Sequence, residues 1–322
     1  MSPLTYAALA ATLLGAAHCS LYNESSVNHT CILDPPVLSC SPGADPLKVD
    51  SCCTETFGGL LLQTQFWSTY TGLEPLQRLP IDTWTNHGLW PDFCSGAYTQ
   101  YCDLNRQYDP VPSPNTTNAL PNGTVVPAWK GPSIDTFLKA FGRYDLIDWM
   151  NTYWVNQGAP NTDFWAHEFS KHATCFSTFD IPCYGPQYVE HEDVVDFFET
   201  AIKWYKRYPT WEWLNEAKIV PSNKTTYSLG DIEKALTKKS GAKPYIGCSG
   251  PRYNTTDAGK GSNDTGRTVV SEVWYFNHVI GRPQEGNSVP VNATSNSGCA
   301  KSAGALHYYE PTPGSVQGSK KS

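Results

Sequence analysis

The sequence is poor in methionine and in charged residues, and it lacks any run of basic residues. Only two of its 322 residues are Met, 16% are charged, and 30 acidic against 23 basic side chains give a net charge of −7. Duplex-DNA binding at neutral pH relies on Lys and Arg that displace counterions, so this composition argues against that class of protein. It leaves open a nucleic-acid enzyme that works when its histidines are protonated. A hydrophobic content of 40% excludes intrinsic disorder.

Long hydrophobic runs are missing, apart from an Ala- and Leu-rich stretch at residues 4–17. That stretch is too short to span a bilayer comfortably and is followed by small residues, which is typical of a signal peptide. We expect residues 1–19 to be a signal, cleaved after Ala17 or Cys19, and residues 311–322 to form a polar tail without a lipid-anchor signal. The predicted location is extracellular, with a vacuolar or lysosome-like compartment as the alternative, and no membrane partner is expected.

No Cys-x-x-Cys pair occurs among the 11 cysteines, which argues against a zinc site. Cleavage after Cys19 would leave an even ten, enough for five disulfides in an oxidising compartment. Acceptor sequons for N-glycosylation support the same compartment, and they begin at Asn23, Asn28, Asn115, Asn122, Asn223, Asn254, Asn263 and Asn292. The sequence therefore predicts a secreted, disulfide-bonded glycoprotein.

Internal repeats and a linker between comparable halves are absent as well, so we expect one domain over residues 20–310. Its predicted fold class is α+β, with a central, mainly antiparallel sheet flanked by helices. Hydrophobic patterning predicts strands at 57–67, 84–91, 269–280 and 305–309, and helices at 134–150 (interrupted near Gly142), 162–174, 194–208 and from 228. Residues 103–129, rich in Pro, Asn and Thr, are interpreted as an irregular surface insertion.

Residues suited to acid–base chemistry are concentrated in two short segments. The first covers residues 84–94 (WTNHGLWPDFC), and the second covers residues 164–175 (FWAHEFSKHATC). The groups suited to catalysis in these segments are His87, His167, Glu168, Lys171 and His172. A single histidine is more often a surface or buried structural residue than a catalyst. Three of the eight histidines beside a glutamate and a lysine together indicate a site.

Helical spacing places the four groups of the second segment on one side of a helix. His167 and Lys171 are four residues apart, as are Glu168 and His172, and the two faces lie about 100° apart. A zinc peptidase helix needs two histidines at i and i+4. The two histidines here are at i and i+5, about 140° apart, so we discard a zinc peptidase.

Two histidines, a lysine and a glutamate can break a phosphodiester through internal attack by a ribose 2′-hydroxyl. One neutral imidazole removes the hydroxyl proton, while an imidazolium protonates the departing 5′-oxygen. A lysine ammonium and a further imidazolium can stabilise charge on the phosphoryl oxygens. Because the 2′-hydroxyl takes part, the substrate is RNA, and the mechanism requires no cofactor and no metal.

Aromatic and acidic residues next to His87 indicate a base-binding site. An unstacked base could lie on the Trp90 ring while Asp92 accepts a hydrogen bond from it. The alternatives are core packing for Trp90 and stabilisation of a turn by Asp92. The position of both residues beside a candidate catalytic histidine favours base binding.

Both segments resemble motifs of the ribonuclease T2 family of secreted or vacuolar acid ribonucleases. Residues 87–92 (HGLWPD) resemble one motif, and residues 167–175 (HEFSKHATC) resemble the family's HEWxKHGTC. Phe169 stands where the family usually has Trp, and Ala173 stands where Gly is usual, but neither departure removes a reacting group. The resemblance covers roughly residues 31–309.

This resemblance implies a role for each residue of the cluster. His172 would be the general base and His87 the general acid, although the order within the pair stays open, and His167 would bind phosphate. Glu168 and Lys171 would stabilise the pentacovalent transition state. The implied base-site residues are Trp90, Asp92 and Tyr98 for the first site, Gln65 and Phe164 for the second, and less firmly Asn156 and Gln157 for the second.

The resemblance also implies the disulfide pattern and the activity. The pairs would be Cys31–Cys53, Cys40–Cys94, Cys52–Cys183, Cys102–Cys175 and Cys248–Cys299. The implied enzyme is a monomer without a cofactor that cleaves single-stranded RNA, with low base specificity, to 2′,3′-cyclic phosphate and then 3′-phosphate ends. An acidic optimum is expected, because protonating the seven histidines left after signal cleavage brings the net charge to about zero.

Two other classes of protein are weighed against this hypothesis. A secreted binding or signalling protein on the same scaffold would be expected to lack a catalytic histidine, and none is missing. A lectin or another disulfide-rich glycan binder would explain the aromatic residues and sequons, but not the cluster of histidines, glutamate and lysine.

Overall fold

A computed structural model describes residue 31, residues 33–254, residue 256 and residues 263–318. The expected signal peptide, the sequons at Asn23 and Asn28, and the last four residues of the tail lie outside the described residues. Within the described part, every helix falls short of the length and apolarity that crossing a bilayer requires.

The described residues fold into seven strands and six α-helices with short 3₁₀ turns between them. The strands are β1 (Leu60–Phe66), β2 (Thr85–Asp92), β3 (Thr226–Tyr227), β4 (Tyr245–Arg252), β5 (Arg267–Val279), β6 (Ser288–Val291) and β7 (Leu306–His307). The helices are α1 (Asp135–Ala140), α2 (Tyr144–Tyr153), α3 (Asn161–His172), α4 (Glu192–Tyr205), α5 (Thr210–Glu216) and α6 (Leu229–Ser240). This arrangement confirms the predicted α+β class.

One sheet in the order β2-β1-β5-β7-β3 organises the chain, with β4 and β6 also paired to β5. The pairs β1–β2, β1–β5, β4–β5, β5–β6 and β3–β7 are antiparallel, whereas β5 and β7 pair in parallel at Val269 and His307. The prediction of a mainly antiparallel sheet is therefore confirmed. β5 holds the sheet together because it pairs with four other strands.

Most predicted elements are present, and the missed ones have weak local signals. The helix predicted at 134–150 divides into α1 and α2 at Gly142, which has a φ of +67° that favours glycine. β4 contains Gly250 and Pro251, and β6 contains Pro290, so their local sequences disfavour strands. Both become strands because β5 supplies a pairing partner, which overrides local propensity.

The two faces of the sheet pack against different groups. On one face, Leu61, Leu89 and Val273 join the large core formed with the helices. On the other face, Leu60 and Leu62 form a smaller cluster with Phe276. Alternate strand residues point to opposite faces, which explains why neighbouring leucines of β1 enter different clusters. Trp90 and Trp274 also pack on this second face.

Five disulfides join the same cysteine pairs that the family resemblance implies: Cys31–Cys53, Cys40–Cys94, Cys52–Cys183, Cys102–Cys175 and Cys248–Cys299. The bridge between Cys102 and Cys175 closes a loop of 73 residues and ties the start of the 103–129 segment to the end of α3. Closing a loop of this length restricts the unfolded chain by about 4 kcal/mol in the chain-entropy account.

The 103–129 segment is irregular, as expected, but the prediction that it is a surface insertion is wrong for its first part. Arg106, Tyr108 and Asp109 are buried. The Tyr108 backbone N–H donates to Ser170 Oγ of α3 at 2.8 Å, and the Arg106 guanidinium lies among three aspartates. The composition of the segment did not indicate this burial. Its polar residues can be buried because they form hydrogen bonds and ion pairs with other parts of the chain.

Candidate active site

A β-bulge in β2 determines where His87 points. Thr64 of β1 pairs with Gly88 and Gln65 pairs with Asn86, so His87 is an extra residue with no partner of its own. Bulges redirect a side chain out of the regular alternation of a strand. The His87 ring consequently stacks on Phe66, with ring centroids 3.7 Å apart, on the face of the smaller cluster.

Both ring nitrogens of His87 face a carboxylate. Nδ1 lies 2.7 Å from Glu272 Oε1 of β5, and Nε2 lies 3.5 Å from Glu168 Oε1 of α3. A protonated ring would therefore have an acceptor for each of its N–H groups. The contact with Glu272 fixes the orientation of the ring and occupies Nδ1. Nε2 is therefore the nitrogen that can exchange a proton with a bound ligand. No motif in the sequence pointed to Glu272.

Glu168 is fully buried between α3 and the sheet. Its Oε2 accepts a hydrogen bond of 2.8 Å from Trp90 Nε1, while its Oε1 has no hydrogen-bond partner among the described residues. A buried carboxylate oxygen without a partner costs about 1–3 kcal/mol or more. This oxygen is therefore available to a proton on His87 or on a bound phosphate.

Gly88 makes room for this carboxylate. A Cβ atom on Gly88 would overlap Glu168 Oε2 and lie 2.7 Å from Trp90 Nε1. The backbone of Gly88 does not adopt a positive φ, so the missing side chain is needed for space and not for backbone conformation. Glycine is thus required at position 88 for steric reasons, which the sequence alone did not reveal.

His172 is the last residue of α3 and is only 8% exposed. Its ring stacks on Trp90 with centroids 4.9 Å apart, and the His87 ring meets the same indole edge-on at 4.6 Å. Burial lowers the pKa of the His172 imidazole well below its usual value, and the nearby charges of Lys171, His167 and His87 lower it further. These surroundings favour the neutral form of His172, which is the form that can accept a proton.

His167 is oriented by a buried carboxylate from the 103–129 segment. Its Nδ1 lies 2.7 Å from Asp109 Oδ2, and the Tyr101 hydroxyl donates to that same oxygen at 2.8 Å. An acceptor at Nδ1 holds the proton there and leaves Nε2 for a ligand. Asp109 precedes His167 by 58 residues, so only the tertiary structure brings the two together.

Lys171 lies beside the cluster, where its ammonium donates to the Ser113 carbonyl at 3.2 Å. Burial lowers the pKa of Lys171, and the carboxylates of Glu168 and Asp109 oppose that shift. All five groups expected from the sequence to be catalytic are thus close to one another in the fold. The expectation that α3 presents four of them to one side is consistent with these contacts.

A cavity of about 650 Å³ opens next to His87 and His167. Phe164, Asn156 and Gln157, which are predicted to belong to a second base site, are among the residues that line it. The expectation for Gln65 is wrong in this structure. Gln65 is 1% exposed and faces the large core, because strand alternation gives the cavity side to its neighbour Phe66.

The Gln65 amide is fully engaged in the interior. Its nitrogen donates to Gln63 Oε1 at 2.9 Å and to the Tyr208 carbonyl at 2.8 Å, and its oxygen accepts from Thr210 Oγ1 at 2.6 Å. Moving this side chain to the cavity would leave buried polar groups without partners, which is costly.

The residues expected to form the first base site lie near the end of β2. Trp90 is only partly exposed, with one ring face against His172 and its N–H bound to Glu168, so it does more than provide a stacking surface. Tyr98 is 60% exposed. Burial raises the pKa of Asp92 to about 7. Asp92 is therefore protonated at mildly acidic pH, where it can donate a hydrogen bond to a base as well as accept one.

Replacing Asp92 with Asn should make stability less dependent on pH. The Asp92 pKa is higher in the folded protein than the ordinary aspartate value of 3.8, so the wild type loses stability as pH rises from about 4 to about 7. The difference in urea unfolding midpoint, Asp92→Asn minus wild type, should therefore increase as pH rises over this range and level off above about pH 7. The control is Asp45→Asn, where a hydrogen bond to Lys48 lowers the aspartate pKa, so this variant should gain nothing with rising pH. An Asp92→Asn difference that is constant with pH would contradict the assignment.

The fold and the site define a class: a disulfide-bonded α+β protein that carries an acid–base cluster of imidazoles beside its sheet. The chain belongs to the ribonuclease T2 family, whose family model matches residues 58–284. The membership expected from the two histidine segments is thereby confirmed.

Individual relatives agree with this assignment. The chain is 36% identical to Ribonuclease Trv of Hypocrea rufa over 262 residues, 81% of this chain and 91% of that protein. It is 33% identical to Ribonuclease T2-like 1-A of Candida albicans over 93% of this chain. The chain spans 63% of the length of that curated relative and 51% of Ribonuclease T2-like of Aspergillus fumigatus. Among solved structures, that of Actibind, a T2 ribonuclease, matches with a TM-score of 0.65 and 33% identity over 87% of this chain and 96% of the other.

Proposed function

We propose that this protein is a secreted endoribonuclease that cleaves single-stranded RNA, with low base specificity and an acidic optimum, by a metal-independent mechanism. The observation that carries the proposal is the pair His87 and His172, which contact the same Trp90 but have opposite surroundings. His172 is buried with a lowered pKa, which suits a general base. His87 has a carboxylate facing each ring nitrogen, which suits a proton donor.

In the first step, neutral His172 removes the proton from the ribose 2′-hydroxyl, and the oxygen attacks the adjacent phosphorus. The bond to the 5′-oxygen of the next nucleotide breaks as the His87 imidazolium gives that oxygen its proton. The products are a 2′,3′-cyclic phosphate and a free 5′-hydroxyl. In the second step the roles reverse: His87 removes a proton from water, and His172 protonates the 2′-oxygen, which leaves a 3′-phosphate.

Three groups stabilise the charge on the phosphoryl oxygens between these steps. The Lys171 ammonium and the Nε2–H of a protonated His167 donate to them, and Asp109 holds the His167 ring in position. The free Glu168 Oε1 accepts a proton carried by a phosphoryl oxygen. Glu272 acts as a positioning residue, because it holds His87 Nδ1 and does not itself reach the reacting atoms.

The surface agrees with a secreted glycoprotein that acts on a polyanion in acid. All six sequon asparagines in the described residues are exposed: Asn115, Asn122, Asn223, Asn254, Asn263 and Asn292. Protonation of the histidines other than His172, which acts as the neutral base, removes most of the net negative charge that would repel RNA at neutral pH. Location, glycosylation and substrate are parts of the same proposal.

A DNA strand that contains a single ribonucleotide tests the mechanism most directly. The disulfide-bonded protein in EDTA should cut this strand once, on the 3′ side of the ribonucleotide, and the new end should be a cyclic phosphate that becomes a 3′-phosphate. The all-DNA strand is the control and should stay intact, and the rate should be higher near about pH 5 than near about pH 8. Cleavage of the all-DNA strand, 5′-phosphate products or no cleavage would each refute the proposal, and the last would favour a binding protein on the same scaffold.

A further inference from the structure

The cavity beside His87 has more walls than the second base site uses. Besides Phe164 and His167, its lining includes Ser249 of β4, Ser271 of β5 and Tyr309, which are far along the chain from both histidine segments. We call this part of the lining the extension. The segment after β1 forms a wall of this extension, because the Trp67 backbone N–H donates to the Ser271 carbonyl. None of the roles proposed so far uses the extension.

We propose that this extension is a subsite for a third nucleotide, on the 3′ side of the second base, with the Tyr309 ring as its stacking surface. The inference rests on the proposed ribonuclease function and goes beyond it. The side follows from which base site shares the cavity: Phe164 of the second site lines it together with His87, whereas Trp90 and Asp92 of the first site do not.

Tyr309 is held in place before any ligand arrives. The Trp67 Nε1–H donates to the Tyr309 carbonyl at 2.8 Å, and the preceding Tyr308 is buried with its hydroxyl bound to Trp84 Nε1. The His307 ring stacks on the Tyr309 ring, with centroids 4.9 Å apart and planes 11° apart. A partly exposed aromatic ring fixed in this way binds a flat ligand with little loss of its own conformational freedom.

The chemistry of the walls indicates a base and ribose as the occupants. Among the described residues that line the cavity, none is Lys, Arg, Asp or Glu. Ser249 and Ser271 supply hydroxyls that can donate or accept hydrogen bonds. Stacking and hydroxyl contacts tolerate any base, which agrees with low base specificity.

Short substrates with one ribonucleotide, at the scissile position, test the subsite without a second cleavage. The reference substrate is a dinucleotide that carries a 3′-terminal phosphate. The kcat/KM of the trinucleotide should be about 5- to 100-fold higher than that of this dinucleotide, which is the range for one stacked base. The same trinucleotide with an abasic third residue should fall back to the dinucleotide value. A dinucleotide that is cleaved as fast as the trinucleotide would overturn the subsite and leave the ribonuclease function standing. A wild type that cleaves neither these substrates nor long RNA would overturn both.

Variants assign the gain to Tyr309. In Tyr309→Ala the trinucleotide should lose its advantage while the dinucleotide is cleaved as before, and Tyr309→Phe, which keeps the ring, should keep the gain. Equal losses on both substrates would count against the subsite. Ser249→Glu is the second variant, at an exposed strand position where folding is not at risk. Its carboxylate should slow the trinucleotide selectively, and no selective effect would contradict the proposal.

Discussion

His172→Ala should lower kcat for RNA cleavage by about 10²- to 10⁴-fold, the usual contribution of a positioned general base. The side chain is buried against Trp90 with a lowered pKa, and the other histidines of the cluster are already committed to different contacts. His87→Ala should cause a loss of similar size on RNA, because the 5′-oxygen is a poor leaving group without a proton. The control is His278→Ala, a histidine of the same sheet outside the site, which should retain full activity.

The nature of the leaving group separates the two roles. Uridine 3′-(4-nitrophenyl phosphate) releases a nitrophenolate that needs no proton, so a missing general acid matters little. His87→Ala should therefore regain most of its activity on this substrate, while His172→Ala should stay inactive. The opposite result would reverse the acid and base assignment within the pair. Equal inactivity of both variants would mean that neither histidine acts as the general acid.

Gly88→Ala should cause the next largest loss after the two histidine variants, although the substitution changes no ionisable group. The new methyl would occupy the space of Glu168 Oε2 and crowd Trp90 Nε1, so the buried carboxylate must move away from its hydrogen bond. Loss of a hydrogen bond to a charged group costs about 1.5–3 kcal/mol, which corresponds to roughly a 10- to 100-fold fall in kcat.

A matched glycine separates this local displacement from a general effect of the substitution. Gly230→Ala in α6 places its methyl in open space and should leave both activity and stability at or slightly above wild type. For Gly88→Ala, circular dichroism should remain native while activity falls. Wild-type activity in Gly88→Ala would show that the Glu168 position is not needed for catalysis.

The agreement between sequence and structure differs from residue to residue for physical reasons. His167, Glu168, Lys171 and His172 could be placed together because helical geometry relates residues a few positions apart. β5 could be predicted because its long apolar run is a strong local signal. β4 and β6 could not, since their glycines and prolines disfavour strands until β5 offers a partner.

Orientation across the sheet was the main source of error. Gln65 and Phe66 are adjacent in sequence, yet only Phe66 reaches the cavity, because strand residues alternate between faces. The bulge that turns His87 toward the site depends on the register between two strands, which no local pattern specifies.

By itself, the sequence determined the family, the α+β class and the identity of the acid–base groups. These three properties depend on side-chain chemistry and on the spacing of residues close in sequence, and both can be read without knowledge of the fold. Only the tertiary structure decided that Glu272 holds His87, that Asp109 holds His167 and that Tyr309 lines the cavity. Those contacts join residues far apart in the chain, and long-range pairing of strands and burial of polar groups, rather than local propensity, bring them together.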